Sequence, residues 1–168
     1  MKKAFVFDFD DTLATTDAVI RVRFAWDDMS GYYRDFELTP SEFNMYKLRS
    51  GEEFDFSDFR CPELIESGSP TELIDLAKQV YKEKHAVYIL TARSSDMSDA
   101  IAKFLRVYGV RAKQIICLGD NDDGSLISEN KRKALNKIMK SYDKTYFYDD
   151  NKKSVELAQS IGVKSYLV

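Results

Sequence analysis

The chain has 168 residues, of which 44% are hydrophobic and 32% charged. That balance excludes a disordered chain and suits one globular domain with a core of its own, since two ordinary domains would need more residues. A formal net charge of -3 excludes a surface that is basic all over, and no apolar run is long enough to cross a bilayer.

The first element is residues 3–9, KAFVFDF, an apolar strand that runs directly into Asp8, Asp10 and Asp11. Three carboxylates within four positions repel one another unless a cation, a proton donor or water compensates. Two lysines precede this run, and charge interrupts it before a signal-peptide core could form, so a cytoplasmic protein is expected. The next stretch, 14–68, has a different texture. From Ala18 to Trp26 apolar residues alternate with others, and DDMSG (27–31) suits a hairpin turn. A register with Trp26 facing Tyr32 sets Val22 opposite Phe36 and Ile20 opposite Leu38. The same register pairs Arg23 with Asp35 and Arg21 with Glu37 on the other face. Thr39, Pro40 and Glu42 form a capping pattern for a short helix to about Leu48, and residues 49–68 read as an irregular arm.

Beyond residue 68, helices and strands alternate. Ser69, Pro70 and Glu72 predict the start of a helix over 70–84, followed by strand 86–90 ending at Thr91. Ser95 can cap a helix over 96–108 that Gly109 closes, and QIICL (114–118) is the next strand. A helix over 129–141, strand 145–149, a helix over 152–161 ended by Gly162 and strand 164–168 complete the chain. Near-continuous apolar strands alternating with helices predict an α/β fold whose parallel sheet is covered on both faces. Cys61 and Cys117 are far apart in sequence, and a loop thiol plus a buried thiol is the simpler expectation than a disulfide.

The strand ends carry the candidate chemistry. Asp8 and Asp10 fall at a strand's carboxyl end on one side, with Phe9 opposite. Ligands of open α/β sheets bind in the crevice at such ends, although a polar exit into a loop would look the same. Thr91 offers a hydroxyl to a phosphate oxygen, or serves only as a turn residue. Asp149 and Asp150 end another strand. If that strand lies beside the first, the carboxylates of Asp8, Asp10, Asp149 and Asp150 make a cluster of hard oxygen ligands suited to Mg²⁺. Lys131 shares a helical face with Ala134, Leu135 and Ile138, so it points inward, where a lysine is costly unless it meets an anion. Lys133 lies on a face with Lys137 and Lys140 and is the second candidate. CLGDNDDG (117–124) reads as a solvated acidic turn, and His85 as a loop or surface residue.

Taken in order, DFDDTL (8–13), the threonine of YILT, a lysine of NKRKAL and the pair in YDDN resemble the four motifs of the haloacid dehalogenase-like (HAD) superfamily of Mg²⁺-dependent phosphohydrolases. The resemblance spans about 3–13 and 70–168. It implies a three-layer Rossmann-like α/β fold with sheet order 5-4-1-2-3, a single domain over 1–168, and 14–68 as a small flap or cap. It implies a phosphatase working through an aspartyl-phosphate, with Mg²⁺ as cofactor. Asp8 would be nucleophile and metal ligand, and Asp10 general acid/base with its backbone carbonyl on the metal. Thr91 and Lys131 would hold the phosphoryl oxygens. Asp149 would ligate the metal and Asp150 would support it, directly or through water. Within the superfamily the chain is most similar to compact members such as the 3′-phosphatase domain of phage polynucleotide kinase, on the double Asp, the Arg two residues after the motif threonine and the lysine-to-DD spacing. Arg93 is then expected on the rim of an open site, gripping a phosphate or a flanking nucleotide, or else in a surface salt bridge. The substrate classes left open are a nucleotide, a nucleic-acid terminal phosphate and a sugar phosphate. The alternative is a noncatalytic protein of the same fold that binds a nucleotide, nucleic acid or protein. A monomer with no membrane partner is expected.

Overall fold

The computed structural model describes residues 1–24, 35–120 and 126–168. Strand β1 (Lys3–Phe7) comes first. The segment after it contributes β2 (Ala14–Thr15), β3 (Ile20–Phe24), β4 (Phe36–Leu38), helix α1 (Pro40–Phe43), β5 (Glu52–Asp55), helix α2 (Pro62–Glu66) and β6 (Ser69–Pro70). The remainder alternates: α3 (Leu73–Lys82), β7 (Ala86–Thr91), α4 (Ser98–Val107), β8 (Gln114–Cys117), α5 (Ile127–Met139), β9 (Lys144–Asp149), α6 (Lys152–Ser160) and β10 (Lys164–Leu167).

The central sheet has five parallel strands in the order β10-β9-β1-β7-β8. The short strands β2 to β6 intervene in the chain between β1 and β7, so the observed labels differ from the expected 5-4-1-2-3. β1 is central, with β9 on one side and β7 on the other. Its residues alternate between two cores. Phe5 and Phe7, with Phe9 beyond the strand, pack with Ala77 and Val80 of α3 and Ile101 and Phe104 of α4. Ala4 and Val6 face Leu135 and Ile138 of α5 and Ala158 of α6. Helices thus cover both faces, and each buried Phe contributes roughly 1.5–3 kcal/mol of apolar burial. Gly109 (φ +76°) and Gly162 (φ +85°) leave α4 and α6 in the left-handed conformation that a glycine adopts without strain.

The helix expected from residue 70 starts later. Ser69 and Pro70 pair with Thr15 and Ala14 as β6 against β2, so they cannot cap. Thr71 bridges the two segments just before the helix: its Oγ1 accepts from Leu73 N–H at 3.3 Å and donates to Thr12 O at 2.5 Å. At the other end of α3, Lys82 is the last helical residue. Cys61 and Cys117 are free and half-buried. Among the described residues no helix is long and apolar enough to cross a membrane.

The register read from the alternation holds where it is described: Ile20 faces Leu38, Arg21 faces Glu37 and Val22 faces Phe36. The turn at 27–31 and the Trp26–Tyr32 pair lie outside the described residues. The capping box of Thr39 and Glu42 is present, but its helix ends at Phe43. Arg23 does not take Asp35 as its partner; it reaches Asp55 at 2.5 Å. The cause is a strand the sequence reading lacked. Residues 52–55 of the arm form β5 against the free side of β3, giving the antiparallel sheet β4-β3-β5. Phe54 and Phe56 then join Phe36, Phe43, Tyr46 and Phe59 around Ile20, Val22 and Leu38 as a small separate core.

Candidate active site

Asp8 directly follows β1, and its N–H donates to Tyr148 O of β9 at 2.9 Å. This bond holds the carboxyl ends of the two strands side by side. The chain then turns sharply. Asp11 adopts φ +57°, a conformation Asp tolerates better than most side chains. The N–H groups of Leu13 and Ala14 close the turn on Phe9 O at 2.9 and 3.0 Å.

Because β1 and β9 are neighbours, Asp8, Asp149 and Asp150 converge, with one carboxylate oxygen from each lying within 4.8 Å of the others. Lys131 enters from the first turns of α5. Its Nζ donates to Asp8 Oδ1 and to Asp149 Oδ2, both at 2.7 Å. Lys131 is only 4% exposed and Asp149 fully buried, whereas Lys133 is exposed. The helical phase that placed Lys131 inward with Leu135 and Ile138 is therefore the observed one. Asp149 Oδ1 also accepts from Asn151 N–H at 2.8 Å.

Burial raises the pKa of Asp8 well above the usual carboxylate range; Lys131 opposes this, and the charges of Asp149 and Asp150 add to it. Burial, reinforced by Asp149, raises Asp150 to about 7. Burial works against the charge on Lys131, yet Asp149 and Asp8 outweigh it, so its pKa stands above the ordinary lysine value. The cluster holds more negative charge than one ammonium neutralises.

Asp10 is not one of the three converging carboxylates. Arg93 Nε donates to its Oδ2 at 2.9 Å and Arg93 Nη2 to its Oδ1 at 2.8 Å, a bidentate pair. Arg93 also donates to Phe59 O at 3.0 Å and to Thr16 Oγ1 at 3.3 Å, and its guanidinium lies 4.9 Å from the centre of the Phe59 ring. At 2% exposure it is neither a rim residue nor a surface ion pair, as the sequence had suggested. Its position two residues past Thr91 brings it off the neighbouring strand directly against Asp10, while the insertion covers it. Thr91 is buried, and its hydroxyl accepts from Arg93 N–H at 3.2 Å.

A cavity of about 190 Å³ opens over this group, lined by Asp8, Asp10, Arg93, Lys131 and Asp150 on the side of the central sheet. Its opposite wall comes from the insertion: Ile20, Pro40, Phe43, Asn44, Phe56, Phe59 and Arg60. Asn151 Nδ2 donates to Asn44 Oδ1 at 2.7 Å and ties that wall to the core. None of these wall residues was singled out from sequence as part of the site. For Phe56 and Phe59 the signal was the aromatic density of 52–60, which an irregular arm does not explain. The acidic turn after β8 plays another part: Asp120 Oδ1 accepts from Ser95 N–H at 2.7 Å, and 121–125 lie outside the described residues. His85 stacks on Phe5 with ring centres 5.6 Å apart.

Neither a family model nor a curated protein matches the sequence. Solved structures do match the fold. A haloacid dehalogenase-like family hydrolase from Streptococcus pneumoniae aligns with a TM-score of 0.56 at 14% identity, over 99% of this chain and 84% of that one. A HAD-superfamily subfamily IA hydrolase from Geobacter sulfurreducens gives 0.53 at 14% identity, over 99% and 86%. A HAD family enzyme from Bacteroides thetaiotaomicron, in complex with magnesium and inorganic phosphate, gives 0.51 at 16% identity, over 99% and 94%. With its five-stranded parallel sheet covered by helices on both faces, the chain has the fold of the HAD-superfamily hydrolases.

Proposed function

We propose that this protein is a Mg²⁺-dependent phosphomonoester hydrolase that works through an aspartyl-phosphate on Asp8. The observation that carries this reading is the cluster itself: Lys131 bridging Asp8 and Asp149 at 2.7 Å each, with Asp150 beside them, beneath a small cavity. The Bacteroides neighbour with magnesium and phosphate supports it by analogy of fold. The donor set fits the ion. Asp8, Asp149 and Asp150 supply hard carboxylate oxygens close enough to share one small cation. Bound there, Mg²⁺ supplies the charge neutralisation that lets a carboxylate approach a phosphate.

Asp8 attacks phosphorus, forming the new P–O bond as the bond to the leaving oxygen breaks. Asp10 gives a proton to that oxygen and later takes one from the water that hydrolyses the intermediate. Arg93 holds Asp10 by both oxygens, which fixes the plane of the carboxylate and still leaves each oxygen a lone pair for the transfer. Lys131 and Thr91 are the partners for the phosphoryl oxygens, Lys131 exchanging carboxylate for phosphate contacts as substrate enters. The volume of about 190 Å³ lies below the roughly 300–1,000 Å³ of pockets for drug-sized ligands, which favours a small monoester over an oligonucleotide end.

A phosphatase assay with and without metal tests the reading. EDTA should abolish turnover, and added Mg²⁺ should restore it. Mg²⁺ at one hundred times its dissociation constant stabilises the folded state by about 2.7 kcal/mol. Thermal melts should therefore rise by about 5–10 °C. Full turnover in metal-free buffer overturns the proposal.

The Arg93–Asp10 pair makes a separate prediction. In Arg93→Lys an ammonium cannot span both carboxylate oxygens, so kcat should fall roughly 100-fold with KM little changed. The loss should be larger for phenyl phosphate than for p-nitrophenyl phosphate, whose better leaving group needs less protonation. Equal losses on both substrates would mean that Arg93 acts only on the fold.

A further inference from the structure

The hydroxyls, amides and two of the three cations that line the cavity are already paired. Asn44 is bonded to Asn151 at 2.7 Å, and Ser128 to Ser154 at 2.9 Å. Ser94 donates to Asp96. Of the lining cations, Lys131 bridges Asp8 and Asp149, and Arg93 is held by Asp10, Thr16 and Phe59. Ile20, Pro40, Phe43, Phe56 and Phe59 supply the rest of the insertion wall and offer side chains with no donor.

Among the cations that line the cavity, Arg60 is the exception. It lines the same cavity, is exposed, and has no hydrogen-bond or ion-pair partner among the described residues. The nearest acid in sequence, Asp58, is taken: it accepts from Arg21 at 2.6 Å and from Val19 N–H at 3.2 Å. The position of Arg60 is nonetheless set firmly. It ends the 3₁₀ turn Ser57–Arg60, and the carbonyl just before it, that of Phe59, is the one Arg93 holds. The group that orients Asp10 also anchors the turn that presents Arg60.

We propose that the substrate's leaving group carries a carboxylate and that Arg60 binds it. An apolar, preferably flat body would lie against Phe43, Phe56 and Phe59, with the phosphoryl group at Asp8 and the carboxylate at the insertion wall. A body rich in hydroxyls would lose its hydrogen bonds to water against those rings and find the lining amides and hydroxyls already paired. A guanidinium matches the planar, two-oxygen geometry of a carboxylate. A second phosphoryl group would need more of the small volume than a carboxylate does.

This inference rests on the phosphomonoesterase reading, and the experiment separates the two. Wild type, Arg60→Ala and Arg60→Lys, each confirmed folded by melting, are assayed on phenyl phosphate and on 3- and 4-carboxyphenyl phosphate. Wild type should prefer a carboxylated substrate by tenfold or more in kcat/KM. The preference should fall to about one in Arg60→Ala and be partly kept in Arg60→Lys. Calorimetric binding of 4-phosphonobenzoate and phenylphosphonate, neither of which can turn over, should show the same order. A wild-type ratio near one, or a preference that survives Arg60→Ala, overturns the Arg60 assignment and leaves the phosphatase standing. Absence of turnover on every substrate overturns the phosphatase reading; Arg60-dependent binding of the carboxylated phosphonate in that case keeps Arg60 as an anion site.

Discussion

Asp8→Asn should lower kcat by roughly 10⁴-fold or more while the protein stays folded, because the amide keeps the shape of the side chain but has no anionic oxygen to attack phosphorus. The stability half of this expectation comes from the electrostatics. Asp8 is buried beside Asp149 and Asp150, and burial already pushes its carboxyl toward the neutral form. Removing its charge relieves repulsion in the cluster, and Lys131 keeps its bond to Asp149 at 2.7 Å. The melting temperature without metal should therefore be equal to or above that of wild type. The gain on adding Mg²⁺ should be smaller than for wild type, since one of the three converging carboxylates is gone. Folded Asp8→Asn protein with wild-type turnover removes Asp8 from the nucleophile's role; a large loss of melting temperature shows that the charge serves the fold.

The strands of the central sheet were legible because each is a short apolar run closed by a turn signal. Such a run cannot be a helix's one-sided face, and burial on both sides requires helices above and below. Lys131 was legible for a related reason, since one face of α5 has to meet the core and carries a lysine with it. The hairpin register could be read because three cross-strand pairs agreed at once. Three things were not legible. β5 is only four residues long, and its strand character comes from pairing with the free edge of β3, a partner roughly thirty residues away in sequence. Ser69 and Pro70 carry a valid capping pattern, but pairing with β2 overrode it. The burial of Arg93 depends on Phe59 and Thr16, which the insertion folds down over it. Local patterns thus identified the groups that the sheet positions and missed those that a distant segment positions, and the cavity wall with Arg60 belongs to the second kind.

Replacing Lys131 by Met should produce two losses that metal separates. The first is catalytic: removing a charged donor aimed at the phosphoryl oxygens should lower kcat/KM by about 10²–10³-fold. The second is structural. Lys131 is the ammonium between two buried carboxylates, and removing one partner from a buried ion pair typically costs about 3–5 kcal/mol. In EDTA the melting temperature should fall by about 6–20 °C. Lys133→Ala should change neither quantity appreciably, because Lys133 lies exposed on the outer face of α5. Mg²⁺ then discriminates. A divalent cation at Asp8, Asp149 and Asp150 neutralises the charges that Lys131→Met leaves unpaired, so the variant should gain more melting temperature from Mg²⁺ than wild type gains. Its activity should stay low, since the metal replaces the lysine's charge but not its contact with the phosphoryl oxygens. A stability deficit that Mg²⁺ does not reduce would mean that the three carboxylates are not a metal site, and that Lys131 is there to hold two strand ends together.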